Sequence, residues 1–197
     1  RRVRLIVEAI GPDFPLRLDA NQGWDPVSAL EIITAIQPYN IQFCEEPIPR
    51  WNFTELPNLK KHSPIPIMAD ESCLDHHGAR RLIALDACDY FNVKLGKSSG
   101  LFKAIKIVQL AQEAGKKLQI GGFLESRIGF TASAHLALTD EIISFCDFDS
   151  PLMFSEDPVT GGISYLPGGG IGVPETPGLG AFIDQSFLDK LEKIRIN

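Results

Sequence analysis

Pro15-Leu16-Arg17-Leu18-Asp19, Ile41-Gln42-Phe43-Cys44-Glu45, Ile65-Pro66-Ile67-Met68-Ala69-Asp70 and Phe91-Asn92-Val93-Lys94 are four short apolar runs, each closed by a charged residue. The closing residues follow one another at 26, 25 and 24 residues. The segments between them have helical character, so each unit reads as strand, loop, helix, and a period near 25 residues suits a βα repeat. Parallel strands standing side by side would bring their C-terminal ends to one mouth. Three carboxylates and a lysine gathered there would repel or trap one another unless a cation and a reacting proton shared the space.

The alternation extends in both directions. Val3, Leu5, Ile6, Ala9 and Ile10 form a helical pattern that ends at Gly11-Pro12, and because the chain starts there without methionine, a piece of a longer protein is expected. Asp25-Pro26 is an N-cap followed by proline at the first helical position; Ala29, Leu30, Ile32, Ile33 and Ile36 then make an apolar stripe that Pro38 ends. Further helices are predicted near 53–61, 77–85, 100–115 and 129–138, the longest facing inward through Ala104, Ile107, Val108 and Ala111. A fifth apolar run is Leu118 to Gly122 and a sixth Ile142 to Asp147. Residues 1–155 thus read as a barrel segment. Residues 156–197, rich in Gly and Pro, read as a short hairpin and tail.

Six strands in parallel order fit either an open doubly wound sheet or part of a closed (β/α)8 barrel. No GxGxxG or GxxxxGK[ST] loop follows any strand, and strand after strand ends in one functional residue. Both features favour an α/β fold that forms the major part of a TIM-like barrel whose first strands lie before Arg1.

Composition narrows the function. With 44% hydrophobic and 22% charged residues the chain can bury a sizeable core, and its net charge of −6 argues against nucleic acid or an anionic membrane surface as partner. No apolar run approaches the roughly 20 residues needed to cross a bilayer, so a cytoplasmic address is expected. Cys44, Cys73, Cys88 and Cys146 lack CxxC spacing and read as reduced core thiols rather than disulfides or a zinc site. His76-His77 reads as a helix start and His135 as a satisfied, partly buried side chain.

Asp19, Glu45 and Asp70 would supply oxygen-only ligands from three consecutive strands about 4.8 Å apart, a set suited to Mg²⁺ or Mn²⁺. Taken singly, each also fits a solvated loop acid or an N-cap; three in register argue for a shared site. Glu46 and Glu71, one residue further on, would point to the opposite side and support the ligands. Lys94, one strand further round, is a proton-transfer candidate whose pKa a neighbouring dication would lower. Its structural alternative is to snorkel out and pair with Asp70 or Glu45. Lys97, nearer the loop, reads as solvated.

The strings Arg17-Leu18-Asp19-Ala20-Asn21-Gln22-Gly23-Trp24, Glu45-Glu46-Pro47, Met68-Ala69-Asp70-Glu71-Ser72 and Asn92-Val93-Lys94-Leu95 resemble signatures of the enolase superfamily, in its muconate-lactonizing-enzyme subgroup. The resemblance covers nearly the whole chain. It implies an enolase-superfamily C-terminal domain, Mg²⁺ bound by the three acids, and Lys94 as one of two acid/base lysines flanking the substrate's α-carbon. Cys146-Asp147-Phe148-Asp149-Ser150-Pro151-Leu152 is similar to the DxD motif of dipeptide epimerases. The likeness implies that Asp147, Phe148 and Asp149 meet an Ala-Xaa dipeptide, the carboxylates taking its ammonium. Gly122-Phe123-Leu124-Glu125-Ser126 resembles the loop lining the same substrate, with Gly122 where many relatives have serine. The family's second base lies in a Lys-x-Lys motif on its second strand, and no Lys-x-Lys occurs in this sequence. That strand, the first strand and the capping domain are therefore expected to be missing from this chain, leaving it inactive alone.

The implied activity is Mg²⁺-dependent epimerisation of a dipeptide with a small or hydrophobic second residue, through an enolate. A muconate cycloisomerase or o-succinylbenzoate synthase would use the same triad, but would set an anionic ligand against two uncompensated carboxylates. A catalytically silent metal-binding barrel module is the reading from outside enzymology. Whether the protein is a homo-oligomer stays open.

Overall fold

In the computed structural model, residues 1–194 are described. Helix α1 (Arg2–Ile10) leads into five βα units and a sixth strand: β1 (Leu16–Asp19), α2 (Pro26–Ile36), β2 (Ile41–Glu45), α3 (Leu56–His62), β3 (Ile67–Ala69), α4 (His76–Ala84), β4 (Tyr90–Lys94), α5 (Leu101–Glu113), β5 (Lys117–Gly121), α6 (Arg127–Ala137) and β6 (Ile143–Cys146). Local signals set several boundaries. The Asp25 side chain accepts from the amides of Val27 and Ser28 to cap α2, and Asp75 caps α4 through Gly78 N. His76 thus opens α4 without capping it. A 3₁₀ turn at Arg50–Glu55 precedes α3, so the helical stretch begins earlier than the apolar pattern predicts.

The six strands are all parallel and follow sequence order from β1 to β6. A doubly wound sheet reverses its strand order at a switch point; this one does not, which identifies the barrel alternative. The sheet rolls. Phe43 of β2 lies 5.2 Å from Phe145 of β6 and 6.0 Å from Tyr90 of β4, measured between ring centroids. Arg17 of β1 stacks 4.7 Å from the Phe145 ring and donates to Cys146 O at 3.3 Å, linking the two edge strands across the interior. Alternate strands contributing to one inner layer is the packing of a barrel interior.

The opposite face of each strand is hydrophobic. Cys44, Ile67, Ala69, Phe91, Val93, Leu118 and Ile120 are buried against Ala29, Ile33, Leu82, Ala104, Ile107 and Phe130 of the helices. The stripe anticipated on α5 is wholly buried, and Cys44, Cys73 and Cys88 are buried free thiols. Cys146 departs from the expected core role: it sits exposed on the edge strand β6. His135 Nε2 is buried without a hydrogen-bond partner, so that side chain is not the satisfied one expected.

After β6 the chain forms two small antiparallel pairs where a single hairpin was expected. β7 (Val159–Gly161) pairs with β10 (Ala181–Ile183), β8 (Ser164–Tyr165) pairs with β9 (Ile171–Gly172), and a short α7 (Gln185–Leu188) follows. Arg127, at the start of α6, holds this segment: its guanidinium donates to the carbonyls of Val159, Gly161 and Ile163 and pairs with Asp157. No helix among the described residues is long and apolar enough to cross a membrane.

Phe91 joins sheet to helices with no exposed surface. Phe91→Ala is expected to cost about 3–5 kcal/mol, read as a drop in the urea midpoint, because the cavity it leaves is walled by regular elements that cannot collapse.

Candidate active site

Strand register places the charged residues. Asp19 stands beside Glu45, Glu45 beside Met68, and Met68 beside Tyr90, so the inward positions climb around the barrel. Asp70 lies just past β3 and Lys94 ends β4. Asp19, Glu45, Asp70 and Lys94 therefore converge on the C-terminal mouth, as the spacing predicts.

Each acid has a protein partner. Asp19 Oδ1 accepts from Asn21 N at 2.8 Å, in a turn where Asn21 and Gln22 take left-handed φ values of 45° and 63°. Glu45, only 4% exposed, accepts from Asn92 Nδ2 at 2.7 Å and Gln119 Nε2 at 3.2 Å. Asp70, 1% exposed, has Lys94 Nζ 2.6 Å from Oδ2 and Lys97 Nζ against Oδ1. Among the described residues no three His, Cys, Asp or Glu side chains close on one point as they stand. The donor set itself suits a hard cation: three oxygens from neighbouring strand ends, with no sulfur or imidazole among them. Asp70 Oδ2 is buried, with the Lys94 ammonium as its charged neighbour at 2.6 Å.

Electrostatics express the crowding. Burial above all pushes the Glu45 carboxyl up to about 8; the Asn92 hydrogen bond opposes this and the charges of Asp19 and Asp70 reinforce it. Asp19 is also raised, by burial first, against its hydrogen bond from Asn21, with Asp70 and Glu71 adding repulsion. For Asp70 burial works the other way from its partners, and the charges of Lys97 and Lys94 win, so its carboxyl is lowered. Burial disfavours the Lys94 ammonium, yet its pairing with Asp70 and the charges of Glu45 and Asp19 hold it above the ordinary lysine value. The pairing with Asp70 is the contact foreseen for a structural lysine, formed here at the mouth.

Other expectations need correction. Lys97 is not solvated: its side chain is 4% exposed and its ammonium also donates to Asp70 O at 2.6 Å. The turn after β4, in which Lys97 N and Ser98 N both donate to Lys94 O, folds it back over the mouth. Glu46 is a buried support as predicted, accepting from Asp70 N at 2.7 Å and Ser72 N at 3.2 Å, and also from the Ser72 hydroxyl. Glu71 does not follow it, because strand alternation ends at Ala69; its charge bears on Asp19 and it lines an outer cleft with Arg50, Trp51 and Phe53.

The proposed substrate residues divide. Asp147 joins Arg17, Asp19, Glu45 and Gln119 around a cavity of about 210 Å³ inside the sheet. Its carboxyl is raised, by burial first and then by Asp149, with Lys94 and Arg17 opposing. Asp149, exposed like Asp147, lies past the end of β6 with helical φ and ψ. Phe148 does not line the mouth: it is 6% exposed and packs on Phe130 at 5.3 Å between ring centroids. Phe123 leans over Gly96, its ring centroid 5.4 Å from Lys94 Nζ, and Leu124 projects at the rim.

Asn92 and Gln119 were not singled out by sequence as partners of Glu45. The signal lies in the period-2 rule, since each precedes the inward strand end, Lys94 or Gly121, by two residues. Gly121 makes room for that contact, as a Cβ there would come within 2.8 Å of Asn92 Oδ1. A Cβ at Gly122 would run into the Phe130 ring, which accounts for the glycine there. Gly122→Ser should therefore cost about 1–3 kcal/mol in a urea titration. Combining it with Phe130→Leu should recover part of the loss; strict additivity of the two changes would contradict this account.

Known proteins resemble the chain along its length. A family model described as "Enolase C-terminal domain-like" matches residues 1–187. The D-Ala-D/L-Ala epimerase of Cytophaga hutchinsonii is 54% identical over 196 residues, covering 100% of this chain and 53% of the relative. The L-Ala-D/L-Glu epimerase of Clostridium acetobutylicum is 38% identical over 182 residues, covering 91% and 51%. Among solved structures, the dipeptide epimerase from Cytophaga hutchinsonii complexed with Mg and dipeptide D-Ala-L-Val superposes with a TM-score of 0.97 at 54% identity, covering 98% of this chain and 52% of that one. The chain spans about half the length of the curated relatives it matches.

Proposed function

The chain belongs to the enolase C-terminal domain-like family, and from that premise we propose that it forms the proton-transfer barrel of a dipeptide epimerase. The observation that carries this reading is the meeting, at one mouth, of a partly buried lysine paired with Asp70 and of Asp19 and Glu45, which share a cavity with Asp147. An α-proton beside a carboxylate is very weakly acidic, so its removal needs a placed base and a means of holding the charge that builds on the substrate.

Lys94 is the base for one stereoisomer, taking the α-proton on its face and returning it there in the reverse direction. Phe123 and the buried walls around Lys94 keep water from competing for that proton. Asp19, Glu45 and Asp70 would hold Mg²⁺, or Mn²⁺ in its place, which supplies positive charge to offset the enolate. Inversion needs a second acid/base on the opposite face. Lys97 does not serve, because its ammonium is committed to Asp70. The resemblance puts that group on a strand outside these residues.

Asp147, with Asp149 at the rim, receives the dipeptide's ammonium. A carboxylate already raised by burial and by its neighbour's charge gains most from a cationic ligand. The second residue meets Phe123 and Leu124, both apolar, and Lys94, the cation beside Phe123, is already paired with Asp70. A small or hydrophobic second residue therefore fits better than glutamate. The names of the 54%-identical epimerase and of the dipeptide in its solved complex support that choice.

In the whole protein, Lys94→Ala should lower epimerisation of Ala-Xaa dipeptides about 10²–10⁴-fold in both directions. Solvent deuterium should still enter the α-position of one isomer, followed by NMR; wild-type turnover would remove Lys94 from the mechanism. Asp147→Asn should raise KM about 10–100-fold, because a charge-assisted hydrogen bond is lost. N-acetylation of the dipeptide should abolish activity, and an enzyme indifferent to it would refute the ammonium-binding role.

A further inference from the structure

Asp70 is held at nearly every polar atom. Its amide donates to Glu46 Oε2 at 2.7 Å, and its carbonyl accepts from Cys73 N at 2.9 Å and from Lys97 Nζ at 2.6 Å. Lys97 also takes carboxylate oxygen Oδ1. The other oxygen, Oδ2, is buried and turned to the mouth, with Lys94 Nζ 2.6 Å away.

We propose that Lys97 is a positioning residue that divides the Asp70 carboxylate, tying Oδ1 to the Asp70 carbonyl so that Oδ2 alone faces the mouth. The inference rests on the epimerase reading and deepens it. Asp70 must serve two neighbours, a divalent cation and Lys94, without closing on either with both oxygens. A carboxylate free to rotate would present its two oxygens to the ammonium of Lys94 and leave the cation a poorer ligand. One ammonium gripping Oδ1 and the main chain of the same residue prevents that rotation, because the two contacts fix the side chain relative to its own backbone. The turn after β4 makes this possible: it anchors on Lys94 O, so the strand that carries the base also carries the residue that sets the base's partner.

A purely structural ion pair explains the site less well. Taking two charges out of water costs more than an apolar pair of similar volume, so a lysine and an aspartate this deeply buried add little stability for their own sake. Groups that orient metal ligands, by contrast, typically change metal affinity or activity about 10–100-fold when removed.

The test uses the whole protein, freed of metal, with Mn²⁺ as probe and its binding read by electron paramagnetic resonance. Lys97→Met should weaken Mn²⁺ binding about tenfold or more. It should lower kcat by about 10–100-fold and leave KM for an Ala-Xaa dipeptide within about threefold. Lys97→Arg, whose fork can reach Asp70 Oδ1 and the Asp70 carbonyl together, should recover most of the Mn²⁺ affinity. If Lys97→Met fails to fold, Lys97→Gln carries the same expectation, since a neutral amide cannot hold Oδ1 as an ammonium does. Wild-type Mn²⁺ affinity in the folded neutral variants overturns the proposal. So does a loss confined to thermal stability. A wild type that binds Mn²⁺ but epimerises no dipeptide removes the functional reading alone, and the Mn²⁺ comparison still decides Lys97. A wild type that binds no Mn²⁺ overturns both.

Discussion

Three carboxylates at adjacent strand ends repel one another, and the arrangement of the mouth follows from how that repulsion is answered. Two lysines, Lys94 and Lys97, flank Asp70; two amides, from Asn92 and Gln119, bind Glu45; a backbone turn binds Asp19. The answer is uneven. Asp70, with two cations beside it, is held below the usual carboxylate range, while burial drives Glu45, hydrogen-bonded only by neutral amides, up to about 8. A site so divided suits a bound cation on the acid side and a movable proton on the lysine side.

Much of this was legible because it is periodic. Strand ends spaced by about 25 residues, and inward positions spaced by two, are local patterns that any barrel must repeat, so Asp19, Glu45, Asp70 and Lys94 could be picked out before their neighbours were known. What sequence left hidden depends on where regular structure stops. Lys97 follows a turn, and its return to Asp70 has no periodic signature. Glu71 and Asp149 fall where the strands have ended, so alternation no longer says which way they point. Phe148 lies on the core side against Phe130; grouping it with the substrate residues followed the motif alone. Arg127 was missed because its partners are carbonyls some 30 residues away, and carbonyls leave no trace in side-chain pattern.

The segment beyond β6 buttresses the rim. Tyr165 donates its hydroxyl to Phe148 O at 2.6 Å, fixing the stretch between Asp147 and Asp149. Ser150, buried, donates to Phe123 O at 2.7 Å and so ties that stretch to the loop after β5. Arg127 fastens the β7 strand and the residues after it to the start of α6, immediately beyond that loop. The loops after β5 and β6 are thus joined to each other and to a shared support. Such cross-bracing keeps the distance between Phe123 and Asp147 fixed.

The central claim is that Asp19, Glu45 and Asp70 serve one cation together, with Lys94 beside it. Crystals of the whole protein soaked in Mn²⁺ and measured at the manganese absorption edge test it most directly. The account predicts a single anomalous peak bounded by oxygens of all three carboxylates, with Asp70 contributing Oδ2 and Lys97 still on Oδ1. A peak elsewhere, or three side chains left turned to separate partners at saturating Mn²⁺, would contradict it.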